Sequence, residues 1–465
     1  MIAGLSTIWK NTDLRGRIIY TLALLAVYRA GVFITMPGVD PIAMKTYLAT
    51  LQSQGGGFLS LFNFFSGGAI EQASIFALGI MPYITASIIM SLLTVAIPTL
   101  ERLQKEGEQG RRKINQYTRY GTIGISIIHG VIISTYLRSQ TVQNQSIVNV
   151  DWSSWAGGIG FVLLAVLTLC AGTAFIMWLG ERITERGIGN GISLIIFAGI
   201  VARLPSAIYS TLLGIRSGTY APVEMLLLGG VMLFILAGIV FVEKGQRRLP
   251  VQYAKRVVQG KQYGGGATHL PLKINVAGVI PPIFASTILM FPMTLASMVK
   301  ADWIEKAQAL INPGGWRYQV LFVVMITFFA YFYTAVQFNP VDVADNMRKF
   351  GGFIPGVRPG KATAEYIDYV LTRITFGGAI YLSAVCISPV LLQKIVSNQV
   401  PFYFGGTGLL IVVSVALETV EQIRGYTITS QYDDVSTQAA VRIRARAEAN
   451  PPGQSSDTQT IASTS

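Results

Sequence analysis

Two histidines, His129 and His269, and two cysteines, Cys170 and Cys386, are the whole of the chain's usual metal-ligand and thiol chemistry. Two histidines assemble no histidine-rich metal site, and neither H-E-x-x-H nor G-x-S-x-G occurs. Hydrolysis inside a membrane is therefore a poor expectation, and no cofactor is called for. Both cysteines lie in apolar stretches, where a thiol is a small hydrophobe and a disulfide framework is not expected. The triple glycine at 264–266 lacks the following lysine and Ser/Thr of a phosphate-binding loop and reads as a flexible hairpin tip. Charge within the apolar stretches is sparse: Arg29 in the first, with Glu418 and Glu421 near the inner end of the last. His129 reads first as a polar side chain hydrogen-bonded between helices and second as a proton relay. What remains is a pathway without ion chemistry, bounded by isoleucine-rich segments, which suits a channel sealed by an apolar constriction.

The elements that would hold such a pathway follow from composition. The 465 residues are 51% hydrophobic and only 13% charged, with mean hydropathy +0.50, too little polar surface to close over a soluble core. Apolar runs of roughly 17 to 25 residues fit helices across a hydrocarbon layer and are too long for barrel strands. Ten spans are predicted, near 18–37, 75–97, 121–137, 158–179, 188–208, 223–242, 275–298, 318–338, 374–396 and 403–420, with a polar tail from 427. The first is a retained helix, since it is long and lacks a small-x-small cleavage site. With the N-terminus in the cytoplasm, 27 of the 36 Lys and Arg fall in cytoplasmic segments, 8 on the other side and Arg29 within a span, so both termini are expected inside.

The second and seventh spans share a register. ALGIMPYITASII (77–89) and VAGVIPPIFASTI (276–288) place Gly79, Pro82, Ile84, Ala86 and Ser87 against Gly278, Pro281, Ile283, Ala285 and Ser286. Ten spans divide into two sets of five with opposite orientation, so matching interrupted segments argue for an inverted repeat with a transport site between the halves. The competing explanation is the general frequency of Gly and Pro in membrane helices.

Between the first two spans, the apolar run Phe58 to Phe65 is too short to cross and ends at Ser66, Gly67 and Gly68. It reads as a re-entrant half-helix beside an extracytoplasmic cavity, or equally as an interfacial helix lying on the bilayer. Two long basic loops, 242–273 and 338–374, interleave charge with Tyr253, Phe350, Phe353, Ile354 and Pro355. Most of their charge serves orientation and anionic lipid, but the aromatic and branched residues suit a docking platform for a large, RNA-bearing cytoplasmic partner. The tail lacks a core-forming pattern and is expected to be disordered beyond about 447.

FSGGAIEQASIFALGIMPYITASIIMSLLT (65–94), KEGEQGRRKINQYTRYGT (105–122), MWLGERITERGIGNGISLIIFAGIVA (177–202), THLPLKINVAGVIPPIFAS (268–286), ADNMRKFGGFIPGVRPG (344–360), VPFYFGGTGLLIVV (400–413) and the end of RGYTITSQY (424–432) resemble the bacterial or plastid-type SecY family, the central subunit of the Sec protein-conducting channel. The resemblance spans roughly residues 15–432. It implies an all-α polytopic membrane protein of ten helices in two inverted five-helix halves around a central pore, 18–208 and 209–426 here, with a cytoplasmic segment 1–17, loops 243–274 and 339–373, and a cytoplasmic tail 427–465. By position in matching motifs, the pore ring would be Ile80, Ile84, Ile192, Ile196, Ile283 and Ile411. A plug of about 59–69 would include Phe62, Asn63, Phe65, Gly67 and Gly68. The lateral gate would lie between the second and seventh helices, with Pro82, Ser87, His129, Pro281 and Ser286. Arg247, Arg248, Lys255, Arg256 and Arg358 sit where the family docks the SecA motor ATPase or the ribosome. SecE-like and SecG-like small subunits are implied, as are unfolded secretory chains with their signal sequences as clients and lipid as the destination of apolar segments. The implied location is the bacterial inner membrane or the plastid thylakoid membrane, with both termini in the cytoplasm or stroma. The activity implied is non-enzymatic protein conduction; an inverted-repeat solute transporter is the alternative.

Overall fold

A computed structural model gives the fold and describes residues 11–53, 63, 65–142, 145–148, 158–218, 221–253, 256–258, 261–263, 267–296, 315–396 and 406–449. Helix α1 (Thr12–Gly31) starts on Asn11, whose Oδ1 accepts the backbone N–H groups of Asp13 (3.1 Å) and Leu14 (3.3 Å), satisfying donors that the first turn leaves without partners. It is followed by α2 (Pro41–Ser53), α3 (Met81–Ala96), α4 (Pro98–Lys105), α5 (Glu108–Arg138), the short hairpin β1 (Thr141–Val142) and β2 (Gln145–Ser146), then α6 (Ile159–Arg186), α7 (Gly191–Val201), α8 (Leu204–Arg216) and α9 (Pro222–Glu243). A β region comprises β3 (Gln246–Tyr253), β4 (Arg256–Val258), β5 (Lys261–Tyr263) and β6 (Ala267–Lys273). The rest is α10 (Ile280–Ala296), α11 (Trp316–Gln337), α12 (Pro340–Lys349), β7 (Gly352–Phe353), α13 (Lys361–Val396) and α14 (Gly406–Ala449).

Each predicted span contains helix. Among the described residues seven helices are long and apolar enough to cross a membrane, and eight if α3 and α4, bent by 100° at Ile97, count as one. Helix α1 carries Arg15, Arg17 and Arg29, which weakens its apolar signal, and α10 is a shorter apolar helix. The polar ends differ from expectation. Helix α5 begins at Glu108 and not near 121, α13 begins at Lys361 and not near 374, and α14 runs on to Ala449. Hydropathy marks where a helix lies in hydrocarbon, whereas backbone hydrogen bonding continues through polar residues of good helix propensity such as Arg, Gln and Lys. The expectation of disorder in the tail beyond about 447 falls almost wholly on residues outside those described, which end at Ala449.

Most buried apolar residues form one cluster through the helical body, drawing on α1, α3, α6, α7, α10, α11, α13 and α14. Helix α9 is the exception: only 11% of its apolar window is buried, leaving Leu226, Leu233, Phe234 and Phe241 facing outward. A second cluster of Leu249, Leu272, Ile354, Ile367 and Leu371 lies where the β region meets α13. There the two basic loops become one object: β3 pairs antiparallel with β6 from its own loop and with β7 from the other, through Gln252 with Phe353 and Tyr253 with Gly352.

Candidate functional site

Ile80 caps the start of α3 and Ile84 follows one turn in. The backbone reaches that start through Gly79 at φ 55°, a left-handed conformation open to glycine at little cost, and Pro82 sits in the first turn, where a missing N–H removes no helical bond. The same arrangement recurs at α10, with Gly278 at φ 63° and Pro281 one residue after Ile280. Both prolines therefore begin helices. The predicted interruption lies before each helix and not within it, because a first-turn proline is tolerated where an interior one would kink. Ile283 follows in α10, and Ile411 lies near the start of α14.

Ile192 and Ile196 are one turn apart on α7, which starts on Asn190; its Oδ1 accepts from the N–H groups of Ile192 (3.1 Å) and Ser193 (3.3 Å). The turn before it is held by side chains of three other helices. Ile188 N–H donates to Thr21 Oγ1 (3.0 Å), Gly189 N–H to Gln422 Oε1 (2.8 Å) and Gly191 N–H to Thr184 Oγ1 (2.9 Å). Four elements thus bring the six isoleucines into the main apolar cluster, with Ile80, Ile84, Ile196, Ile283 and Ile411 no more than 7% exposed and Ile192 half-buried at its margin. About two turns along α14 from Ile411, a cavity of about 560 Å³ opens, lined by Thr184, Asn190, Glu418, Gln422, Tyr426 and Thr429. The cavity's lining is mostly polar, whereas five of the six isoleucines are buried in the apolar cluster and Ile192 packs at its edge. Gln422, Thr21 and Thr184 were not singled out in the sequence, because single hydroxyl and amide side chains in long helices carry no spacing signal.

The segment before α3 differs from the expected half-helix ending near Ala69. Asn63 and Phe65 are helical, and from Ser66 to Ile80 the chain runs in turns, since Gly67 (φ 66°) and Gly68 (φ 90°) leave the helical region. Asn63, Ser66, Ala69 and Ser74 are fully buried, and Phe65 is 4% exposed. Phe62 lies outside the described residues. Gly68 N–H donates to the Asn63 carbonyl (2.9 Å) and Glu71 N–H to Asn63 Oδ1 (3.1 Å). Side chains from elsewhere hold the same stretch: Tyr28 Oη donates to the Ser66 carbonyl (3.3 Å), Arg29 Nη1 to the Gly67 carbonyl (3.0 Å), and Arg203 Nη2 to Glu71 Oε2 (3.1 Å). Arg203 and Glu71 escaped sequence reasoning, although an arginine inside an apolar stretch and a lone carboxylate between the first two spans were the available signals.

Of the gate residues, Pro82 and Ser87 lie on α3 and Pro281 and Ser286 on α10, and these two helices touch. Ser286 Oγ donates to the Ile283 carbonyl of its own helix (2.9 Å). His129 is 6% exposed on α5, which packs against both α3 and α6. Arg247 and Arg248 are exposed on β3, and Arg358 is exposed in a turn bounded by Gly356 (φ 84°) and Gly360 (φ 102°). Arg256 begins β4, and Lys255 lies outside the described residues. Phe350, Phe353, Tyr253 and Pro355 are exposed beside these arginines. Ile354 is not available for docking: at 3% exposure, just after β7, it is packed with Leu249, Leu272, Ile367 and Leu371 in the core under the sheet.

The sequence model of the SecY family matches residues 74–420. The chain belongs to the SecY family. The protein translocase subunit SecY of Escherichia coli (strain K12) is 46% identical over 434 residues, 92% of this chain and 95% of that one. The SecY subunit of Pseudomonas aeruginosa (strain PAO1) is 46% identical over 443 residues, 94% and 95% of the two chains. Two solved structures share the fold at TM-score 0.59, covering 88% of this chain and 91% of theirs: a protein-conducting channel (16% identical) and a SecY whose plug domain stabilises the closed state and maintains a membrane seal (17%). An idle yeast Ssh1 complex bound to the 80S ribosome follows at 0.57, 16% identity and 87% and 89% coverage. The all-α polytopic SecY architecture is therefore the fold of this chain, and these relatives lend no support to the solute-transporter alternative.

Proposed function

We propose that this SecY-family chain is the central subunit of a protein-conducting channel that passes unfolded secretory chains across the membrane and releases apolar segments sideways into lipid. It is a channel subunit and not an enzyme. The observation that carries this is the 46% identity with translocase subunits over nine-tenths of the chain. The geometry supports particular roles. The six isoleucines form the pore ring between two inverted halves, 63–71 belongs to the plug, and the contact of α3 with α10 is the lateral gate. The ribosome-bound neighbour and the exposed arginines around the β3–β6–β7 sheet support docking of a ribosome or a SecA-like motor there, with SecE-like and SecG-like subunits completing the complex. Energy comes from the partner. The sheet faces the cytoplasm of a bacterial inner membrane, or the stroma for a thylakoid protein, with both termini on that side.

Reconstitution tests the reading. The purified complex in proteoliposomes, supplied with a motor ATPase or ribosomes, should protect an added secretory chain from external protease. Uptake of ions or small solutes without chain movement would overturn it. For orientation, in a background with Cys170 and Cys386 replaced, Thr268→Cys should react with an impermeant maleimide only from the cytoplasmic face and Ser139→Cys only from the other.

A further inference from the structure

Arg203 stands between α7 and α8, at the start of α8. Its Nη2 donates to Glu71 Oε2 at 3.1 Å, its Nη1 reaches the Asn63 carbonyl at 3.5 Å, and a Cβ built on Gly68 would lie 3.7 Å from its Nε. Arg29 of α1 donates to the neighbouring Gly67 carbonyl. The chain from Ser66 onward is not helical, so its carbonyls lack helical partners, and at this depth each needs one. The Arg29 guanidinium serves one of them, the Gly67 carbonyl, from α1, while Arg203 at the α7–α8 junction pairs with Glu71, the single carboxylate of residues 63–71, and reaches the Asn63 carbonyl that also accepts from Gly68 N–H. The Arg203 and Glu71 side chains are 30% and 28% exposed, partly wetted and not sealed in.

We infer that the Arg203–Glu71 ion pair, with Arg29 beside it, is an electrostatic catch that positions segment 63–71 in the closed channel, so that opening must break it. The inference rests on reading this segment as plug. A half-wetted pair shifts a closed-to-open ratio by only roughly two- to fivefold, strong enough to bias the resting state and weak enough to release for an arriving chain. Arg203 acts through Glu71 and is a positioning residue.

The test is idle ion conductance of the complete channel complex in a planar bilayer, for wild type, Glu71→Arg, Arg203→Glu, the double exchange, and a deletion of residues 60–68. Each single reversal sets like charges against each other and should raise the idle current at least roughly threefold in about 0.1 M KCl, with a smaller rise in about 1 M KCl. The double exchange restores the pair and should return the current towards wild type, which general damage to the fold would not do. Silent single variants alongside a leaking deletion would overturn the catch and leave the plug reading intact. A deletion as silent as wild type would overturn the plug reading itself. A double exchange as leaky as either single variant would also overturn the catch.

Discussion

Gly67 and Gly199 meet backbone to backbone: a Cβ built on Gly67 would stand 2.5 Å from the Gly199 Cα. No side chain fits between the proposed plug and α7, which carries two of the proposed ring isoleucines. Gly67→Ala should therefore displace the segment, through this clash and through about 1–2 kcal/mol of left-handed strain at φ 66°. The expected result is a raised idle conductance with unchanged assembly of the complex. Gly199→Ala, whose Cβ would lie 3.2 Å from the Gly67 Cα, should leak less. Wild-type conductance in Gly67→Ala would mean that the segment does not seal.

The Gln422 amide oxygen that accepts from Gly189 N–H ties α14 to the start of α7. Gln422→Ala leaves a half-buried N–H without its partner, at a cost of about 1–3 kcal/mol. The purified complex should unfold at a lower temperature, and Gln422→Glu, which keeps an acceptor, should recover most of the loss. Equal melting of Gln422→Ala and wild type would remove this bond from the supports of the neck.

Replacing Ile84, Ile196 and Ile283 together by Ser should wet the neck, because hydroxyls lower the cost of water and ions entering an apolar constriction. Any one of them alone should be tolerated, since neighbouring isoleucines close in. The readout is idle current in a planar bilayer, and the triple variant combined with the 60–68 deletion should be the leakiest. A triple variant as silent as wild type would show that these residues do not line the pore.

Arg358→Glu should reduce translocation roughly tenfold or more while membrane insertion and assembly survive, because an exposed guanidinium on a glycine-bounded turn offers a preoriented charge-assisted contact. Motor- or ribosome-driven transport of a secretory chain into proteoliposomes reports it. Transport at the wild-type rate would exclude this residue from docking.

Much of this architecture was legible because the bilayer allows so few solutions. Long apolar runs had to be helices, and the shared G-x-x-P register marked two sites where the backbone turns left-handed before a helix begins. What stayed hidden depends on partners far apart in sequence. Thr21, Gln422 and Thr184 satisfy one turn from three helices, and Glu71 finds Arg203 132 residues away. Ile354 was misread as a surface residue for a related reason. Its burial is decided by pairing of β7 with a strand from the other loop, and a two-residue strand has no alternation to count.

The pairing of Tyr253 with Gly352 has a mechanical corollary. β3 leads through β6 to α10, and β7 leads to α13, so one small sheet is the common handle of two helices. Two tethers joined side by side share an applied load and add their stiffnesses, whereas two separate loops would each yield alone. A body pressing on either loop thus loads α10 and α13 together and not one at a time.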